Sequence, residues 1–411
     1  MKKPNVIRPQ VQRWAAGLGH TMNEAGIGYA VADAVRGPQV FTFRLGLRRS
    51  AMLKKVVGLE EQLALAMHVE HVRVARHLGY VDVEVALPRG LRRALPVRAL
   101  SPRGGTWATL GQTPTGTQVH VNLAGTNTCQ TLIAGMTGSG KTVAQQLVAW
   151  MLAQGETPDR MRYILIDGKG GVTWHGFRRE AHLAHPVIGD VGEGAMALTW
   201  LLVELDRRKE QGRTSPRIFV IVDEVKELLD GPGGDAIAEA IARLTAVGRE
   251  LGVHCVLSTQ HPTAASVGSG IAKANLPLRI AGRAADGTAA YVATGIRGSG
   301  AELLEGKGDF LVIVGGMAHR VQIARVSDRE IYQLPRAEHT PRLDLGDYDL
   351  DRVLDVVDDL PAPEDVAVAM VDPRIRQVKD ALGVGQRKAR LAAAFARRVL
   401  EKLDSLGRMV Q

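Results

Sequence analysis

Aromatic side chains are scarce in this chain, at 4% of 411 residues, so its cores must be assembled from Leu, Val, Ile and Ala. Cysteine is nearly absent. Cys129 and Cys255, in apolar neighbourhoods that read as strands, have no partner at metal-ligand spacing. That argues against a disulfide-stapled scaffold or a zinc module and for buried thiols in a reducing cytoplasm. No apolar run approaches the roughly 20 residues needed to cross a bilayer. The basic start, Met1 to Asn5, has no apolar stretch behind it, so neither an integral membrane segment nor a secretory leader is expected. An excess of acid is lacking too: Lys and Arg number 52 against 43 Asp and Glu, for a formal charge of +9. That balance permits binding to nucleic acid or to an anionic membrane surface. What is present is ordinary for a folded protein: 45% hydrophobic and 23% charged residues, in a chain long enough for two or three domains.

Patterning along the chain separates four regions. Residues 1–100 alternate short strands and helices. Within them, Gln39–Leu45 alternates like a strand, and Ser50–His77 has helical spacing with Leu59, Leu63, Leu65, Ala66, Val69 and Val72 on one apolar face. Val81–Leu87 reads as another strand. From 101 to 340, apolar strands alternate with helical stretches, the signature of a parallel sheet covered by helices. Its strands are expected at Gln130–Ala134, Arg162–Asp167, Arg217–Val222, His254–Ser258 and Pro277–Ala281, with a closing hairpin around Gly315-Gly316. Residues 341–372 gather Asp and Glu among prolines and read as an acidic, partly helical linker, and 373–411 turn basic, with Gly383-Val384-Gly385 separating two helical segments.

Two motifs carry chemistry. Gly135-Met136-Thr137-Gly138-Ser139-Gly140-Lys141-Thr142 fits the phosphate-loop pattern G-x-x-x-x-G-K-[ST]. It follows an apolar strand and opens a helix running through Trp150, a context that a chance Gly-rich turn would lack. Its glycines let backbone N–H groups turn inward around a β-phosphate, with the helix N-terminus adding positive charge. Lys141 would reach the β- and γ-phosphates and the Thr142 hydroxyl would ligate Mg²⁺, so ATP and Mg²⁺ are the expected cofactors. Downstream, Ile218–Val222 delivers Asp223 and Glu224 to a strand's C-terminal end. Asp223 would hold the Mg²⁺ shell and Glu224 would act as general base toward the attacking water. At the end of the next strand, Thr259 or Gln260 either senses the γ-phosphate or satisfies backbone groups there.

The order Ile241–Pro262, Ile271–Ala281 and Gly300–Leu311, placed after both motifs, closely resembles the FtsK/SpoIIIE DNA translocases. Leu165-Ile166-Asp167-Gly168-Lys169 resembles that family's Ile-Asp-Pro-Lys segment, with Gly168 replacing the proline, and the unit through Pro88 resembles its small leading domain. The resemblance implies an α/β fold: a RecA-like P-loop ATPase core behind a small α/β domain, with a helical C-terminal tail. It implies a ring-shaped homo-oligomer, usually a hexamer, around double-stranded DNA. A neighbour's arginine would then meet the γ-phosphate. Arg249, in the helix before the third strand, is the leading candidate here and Arg279 the second, each alternatively a solvated or helix-stabilising arginine. The DNA-facing loop would be His261–Asn275, with Lys273 as its phosphate ligand. His261 stands where the family has arginine, and Arg283 would compensate for the family's basic segment, replaced here by Gly282–Tyr291. The basic tail either resembles the family's winged-helix DNA module or packs on the ring as an amphipathic helix. Absence of a membrane segment points to transfer or segregation of a plasmid, phage or integrative element. Two other readings stay open: a protein-translocating ATPase of the type VII secretion class, and a DNA-binding regulator switched by ATP.

Overall fold

The computed structural model describes residues 8–48, 52–77, 79–168, 170–231, 234–260 and 275–343. The acidic linker from 344 on, the basic tail, and the loop 261–274 lie outside them. In chain order the elements are α1 (Arg8–Glu24), β1 (Tyr29–Arg36), β2 (Val40–Leu47), α2 (Leu53–Val57), α3 (Glu60–Met67), β3 (Val72–His77) and β4 (Tyr80–Ala86). Next come β5 (Leu95–Pro96), β6 (Trp107–Gln112), β7 (Gln118–Asn122), β8 (Thr131–Ala134), α4 (Lys141–Gly155), β9 (Met161–Asp167) and α5 (Val191–Gln211). They are followed by β10 (Arg217–Asp223), α6 (Val225–Asp230), α7 (Gly234–Val247), β11 (Val253–Thr259) and β12 (Leu278–Ala281). Last are α8 (Gly287–Thr294), β13 (Asp309–Val314), β14 (Met317–Arg325) and α9 (Asp328–Tyr332).

These elements form two compact units. One holds Met1–Asn122, Ile133–Met151 and Leu278–Ser327; the other holds Leu123–Leu132, Leu152–Pro277 and Asp328–Gln411.

In the first unit, a four-stranded antiparallel sheet of order β1-β2-β4-β3 packs one face against α1 and α3. Trp14, Leu18 and Met22 of α1 recur at helical spacing and meet Phe41, Phe43 and Leu45 of β2 and Val81, Val83 and Val85 of β4. The helices approach closely because Gly17 has no side chain: a Cβ there would stand 2.6 Å from the Ala66 carbonyl oxygen. The long helix expected over Ser50–His77 is instead two short helices and a strand. His68 takes left-handed φ and ψ as the C-cap of α3, and the β-branched alternation Val72-Arg73-Val74 then pairs with β4. Leu65, on the expected apolar face, is exposed.

The other face of this sheet carries charge, buried at Arg73, Asp82 and Glu84. Arg44 pairs with Asp82, and Arg73 with Glu84. Arg320 of β14 donates to Glu84 at 2.6 Å and holds Asp309 of β13 with two further bonds at 2.9 and 2.6 Å. Burial pushes the Glu84 carboxyl up, but the Arg73 and Arg320 charges outweigh it and hold the group below its usual range. Burial likewise pushes Arg320 down, and Asp309 with Glu84 more than reverse the effect. Also in this unit, β13 and β14 form the expected hairpin, with Gly315 and Gly316 at φ +57° and +78°. Only glycine takes two such angles in succession without steric cost. Antiparallel partners continue outward through β6 and β7, which the sequence pattern did not reveal, and β12 runs antiparallel to β13.

The second unit carries the parallel strands, in the order β11-β10-β9. Their central residues are mostly apolar, as strands covered on both faces are, with polar groups gathered toward their ends. The parallel pattern expected over 101–340 therefore holds for these three strands, while the strands of that stretch in the first unit pair mostly antiparallel, the expected hairpin among them. Helical crossovers connect β9, β10 and β11, whereas hairpin connections join β6 to β7 and β13 to β14. Helix α5 starts on Asp190, whose side chain accepts from the Glu193 N–H, and stops at Gly212. Cys255 lies in β11, but Cys129 lies in a turn rather than a strand; both are free and buried.

His254 in β11 is fully enclosed, its Nδ1 donating to the Cys129 carbonyl at 3.2 Å and its ring against Phe219. Burial pushes its pKa down to about 4. Between that value and its ordinary pKa near 6.5 the unfolded chain binds a proton that the folded chain refuses. The stability this neutral histidine contributes is complete above pH 6.5 and is lost as pH falls toward 4, on the order of 3 kcal/mol in all. Urea unfolding of His254→Gln, which keeps a donor but does not titrate, is expected to show a shallower decline between pH 6.5 and 5. Parallel declines would contradict this.

Candidate nucleotide site

In the first unit the phosphate loop is a glycine-built cradle. Gly135, Gly138 and Gly140 sit at φ +150°, +81° and +105°. A Cβ on Gly135 would come within 2.9 Å of the Ser139 Oγ, and one on Gly140 within 3.0 Å of the Gly308 nitrogen. Both the left-handed backbone and the close approach therefore demand glycine at these positions. The cradle is braced from outside: the Met136 N–H donates to the Arg283 carbonyl at 2.8 Å, and Gly282 N–H to Ala134 at 2.7 Å. Lys307 and Gly308 N–H groups donate to the Gly138 and Ser139 carbonyls at 3.1 and 2.8 Å. Lys141, at the first turn of α4, is largely buried and its ammonium donates to the Gly135 carbonyl at 2.7 Å. Thr142 beside it is exposed, as are Met136 and Thr137 on the loop's crest.

These residues fit a nucleotide triphosphate. The Ser139 hydroxyl is buried without a hydrogen-bond partner among the described residues, the loop backbone turns in the way an oxyanion requires, and a buried ammonium stands at the helix start. Mg²⁺ commonly takes only one or two protein ligands beside water and phosphate, which an exposed Thr142 hydroxyl suits.

The second unit holds the acidic pair. Parallel register sets Asp223 beside Asp167 at the C-terminal ends of β10 and β9. Asp223 accepts from the Ser258 hydroxyl at 2.9 Å with one oxygen and from the Thr173 hydroxyl at 2.9 Å with the other. Thr173 is fixed in turn by its N–H to Asp167 at 3.0 Å. A carboxylate has about four lone-pair sites, so Asp223 keeps acceptor capacity for water or metal.

Glu224 caps α6 in a left-handed conformation, φ +56° and ψ +69°. For a residue with a Cβ this costs on the order of 1 kcal/mol, the kind of strain that collects at functional positions. It is held there: its N–H donates to Ser258 Oγ at 3.2 Å, and its carboxylate accepts from Thr259 Oγ1 at 3.2 Å and from the Gln260 N–H at 3.1 and 3.2 Å. Thr259 and the Gln260 backbone thus position the carboxylate at the strand end. Sequence reasoning does not single out Ser258 and Thr173, since nothing in spacing marks a serine one place before two polar residues.

The remaining candidates fall elsewhere. Arg249 is not in a helix: α7 ends at Val247, and Arg249 lies exposed in the following turn, 3.5 Å from Glu250. Such a position is open to another molecule. Arg279 is half-buried in β12 and donates to the Val292 carbonyl at 3.3 Å, burial lowering its pKa. Arg283 is exposed at the cradle's edge. His261 and Lys273 lie outside the described residues.

A phosphate cradle opening a helix, and in the other unit a strand-end Asp-Glu pair, in an α/β frame are the features of the P-loop nucleotide-binding class. Residues 2–88 match the FtsK alpha domain, and residues 104–215 match the FtsK/SpoIIIE family. Over these two stretches the chain is similar to the FtsK/SpoIIIE family. A DNA translocase FtsK of Borreliella burgdorferi is 27% identical over 97% of this chain and 54% of its own length. That of Treponema pallidum is 29% identical over 95% of this chain and 53% of its length. The chain thus spans about half the length of these curated relatives. Among solved structures, the fold resembles the cytoplasmic domain of the Thermomonospora curvata type VII secretion ATPase EccC, with a TM-score of 0.52 at 22% identity over 59% of this chain and 32% of that one. It also resembles the pCW3 conjugation coupling protein TcpA, with a TM-score of 0.50 at 20% identity over 84% of this chain and 99% of that one. No helix among the described residues is long and apolar enough to cross a membrane.

Proposed function

We propose that this chain is an ATP-driven translocase of double-stranded DNA, working as a homo-oligomeric ring, most simply a hexamer. The observation that carries the catalytic half is the strained, fully hydrogen-bonded Glu224 following Asp223 in a chain whose phosphate loop is built for a triphosphate. The DNA half is supported by relatives named DNA translocase that align over nearly the whole chain.

Bound Mg²⁺·ATP would supply the scissile phosphoanhydride bond and a cation that draws charge from it. The chain's own groups would divide the remaining work. The loop amides and Lys141 hold the phosphates, leaving the carbonyls that Lys141 now faces. Thr142 would ligate the cation, and the motif assigns Asp223 to its shell as well. Glu224 takes the proton from water, with Thr259 and Gln260 keeping its carboxylate aimed. Arg249, exposed in its turn, is the residue we assign to a neighbour's γ-phosphate, where such a group stabilises transition-state charge. His261 and Lys273, with Arg283, would meet DNA phosphates, since a motor that reads no sequence must grip the backbone.

The test is duplex-stimulated hydrolysis. Linear duplex DNA is expected to raise ATP turnover several-fold at low salt, and the stimulation should fade steeply as salt is raised, because binding to phosphates releases counterions. Turnover indifferent to duplex, with stimulation instead by an unfolded secretion-signal peptide, would replace this reading with the protein-transport one.

A further inference from the structure

Within the first unit, a cavity of about 510 Å³ opens beside the cradle's outer brace. Its walls carry Arg89, Arg92, Arg93, Arg283 and Lys307, together with the side chain of Gln39. Two carboxylates also face it, Glu70 and Glu305. Glu305 is committed internally, since Arg92 lies 2.7 Å from one of its oxygens and His71 2.9 Å from the other. Arg89, Arg93, Arg283 and Lys307 are exposed, and among the described residues no carboxylate is paired with them. Gln39 is 6% exposed and its amide oxygen is buried without a partner among the described residues. Amide oxygen and nitrogen exchange places by a flip of the side chain, so the same group can present a donor.

Four guanidinium or ammonium heads without a paired anion repel one another around a concave space, and Glu70 alone cannot offset them. That arrangement is stabilised by what would neutralise it. Bidentate guanidinium forks match phosphate oxygens in particular. The cavity is of a size that takes a phosphate-bearing ligand, and its lining offers no Phe, Tyr or Trp face on which a base would stack.

Its position adds a second point. The residue giving the cavity Arg283 also gives its carbonyl to the Met136 N–H of the phosphate loop, and the residue giving Lys307 donates its N–H to the Gly138 carbonyl. An anion drawing these two side chains together pulls on peptides bonded directly to the cradle.

We propose that this cavity is a second phosphate-binding site, distinct from the nucleotide cradle, and that its occupancy is felt by the phosphate loop through residues 283 and 307. The phosphates would come either from a duplex backbone or from a triphosphate. The site itself stands on the cavity alone; only its duplex source rests on the function proposed above.

The experiment uses the whole chain with Arg89→Glu and Arg93→Glu together. Both side chains are exposed and neither belongs to the catalytic groups, so basal hydrolysis without DNA should match the parent if the duplex is the source and change if a triphosphate is. Binding is read by calorimetry with inorganic tripolyphosphate in a Lys141→Ala background, which weakens the cradle's own contribution, and by duplex titration across salt concentrations. We expect tripolyphosphate affinity to fall at least tenfold. If the duplex is the source, the salt slope of DNA affinity should become shallower by about 2, near 0.9 for each phosphate no longer neutralised. Loss of tripolyphosphate binding with unchanged duplex binding would keep the site and assign it to a triphosphate. The neutral pair Arg89→Gln and Arg93→Gln should move the same readouts in the same direction by less, guarding against misfolding of the reversed charges. If tripolyphosphate and duplex both bind as tightly to each altered pair as to the parent, the proposal is overturned. A parent that binds tripolyphosphate but no duplex would instead remove the DNA reading and leave this site standing.

Discussion

Glu224→Gln is expected to lower ATP turnover by roughly 10²- to 10⁴-fold, the usual worth of a positioned general base, while leaving ATP affinity close to that of the parent. Glutamine keeps the size of the side chain and one amide oxygen, so the bonds from the Thr259 hydroxyl and the Gln260 N–H can persist. The left-handed backbone at this position is also undisturbed by the exchange. What disappears is the basicity that would take a proton from water. Steady-state hydrolysis set beside equilibrium binding of a fluorescent nucleotide separates the two effects. Turnover within about threefold of the parent, far short of a base's usual worth, would refute the assignment and turn attention to Asp223 or to a water relay.

The second large effect concerns stability. Arg320 is surrounded by Glu84 and Asp309, all three deeply buried, and Arg73 completes the cluster. Such a network contributes little net stability compared with an apolar replacement of the whole, but removing one member strands the others in a low dielectric. Arg320→Leu is therefore expected to cost about 3–5 kcal/mol, a drop of roughly 10 °C or more in melting midpoint. Arg160→Ala provides the contrast. Its guanidinium is 71% exposed beside Glu156, and exposed pairs contribute between nothing and about 1 kcal/mol. Equal losses in the two variants would mean that the buried cluster is not the fastening described. A functional consequence should accompany the loss. Asp309 also accepts the Glu305 N–H, and the loop from Glu305 to Asp309 contains the Lys307 and Gly308 amides that brace the cradle. Nucleotide affinity should fall in Arg320→Leu even at temperatures where the chain remains folded.

The phosphate loop and the acidic pair were legible because their chemistry is local. Eight consecutive residues supply the cradle, and an apolar strand delivers its own C-terminal carboxylates. The hairpin at Gly315-Gly316 was legible for the same reason, since consecutive left-handed angles select glycine. The segment Ser50–His77 was not. Apolar residues at Leu59, Leu63, Val69 and Val72 match a helical face as well as they match a helix followed by a strand. The break depends on His68 adopting a left-handed cap and on β4 being present to pair with Val72–His77.

Val81-Asp82-Val83-Glu84-Val85 marks the clearest limit. Its alternation states that one face of β4 is apolar and the other charged, and ordinary expectation puts a charged face in water. Here Asp82 and Glu84 are each 4% exposed, because Arg44, Arg73 and Arg320 cover them. The sequence by itself determined the phosphate-loop motif, the acidic pair and the strands that precede them. Those are properties of short stretches whose geometry follows from neighbouring side chains. Only the tertiary structure decided which charged groups are buried together, that Ser258 and Thr173 hold the acidic pair, and that five cations from distant segments share one cavity. Electrostatic partnership acts across space between residues hundreds of positions apart, and no periodicity along the chain records it.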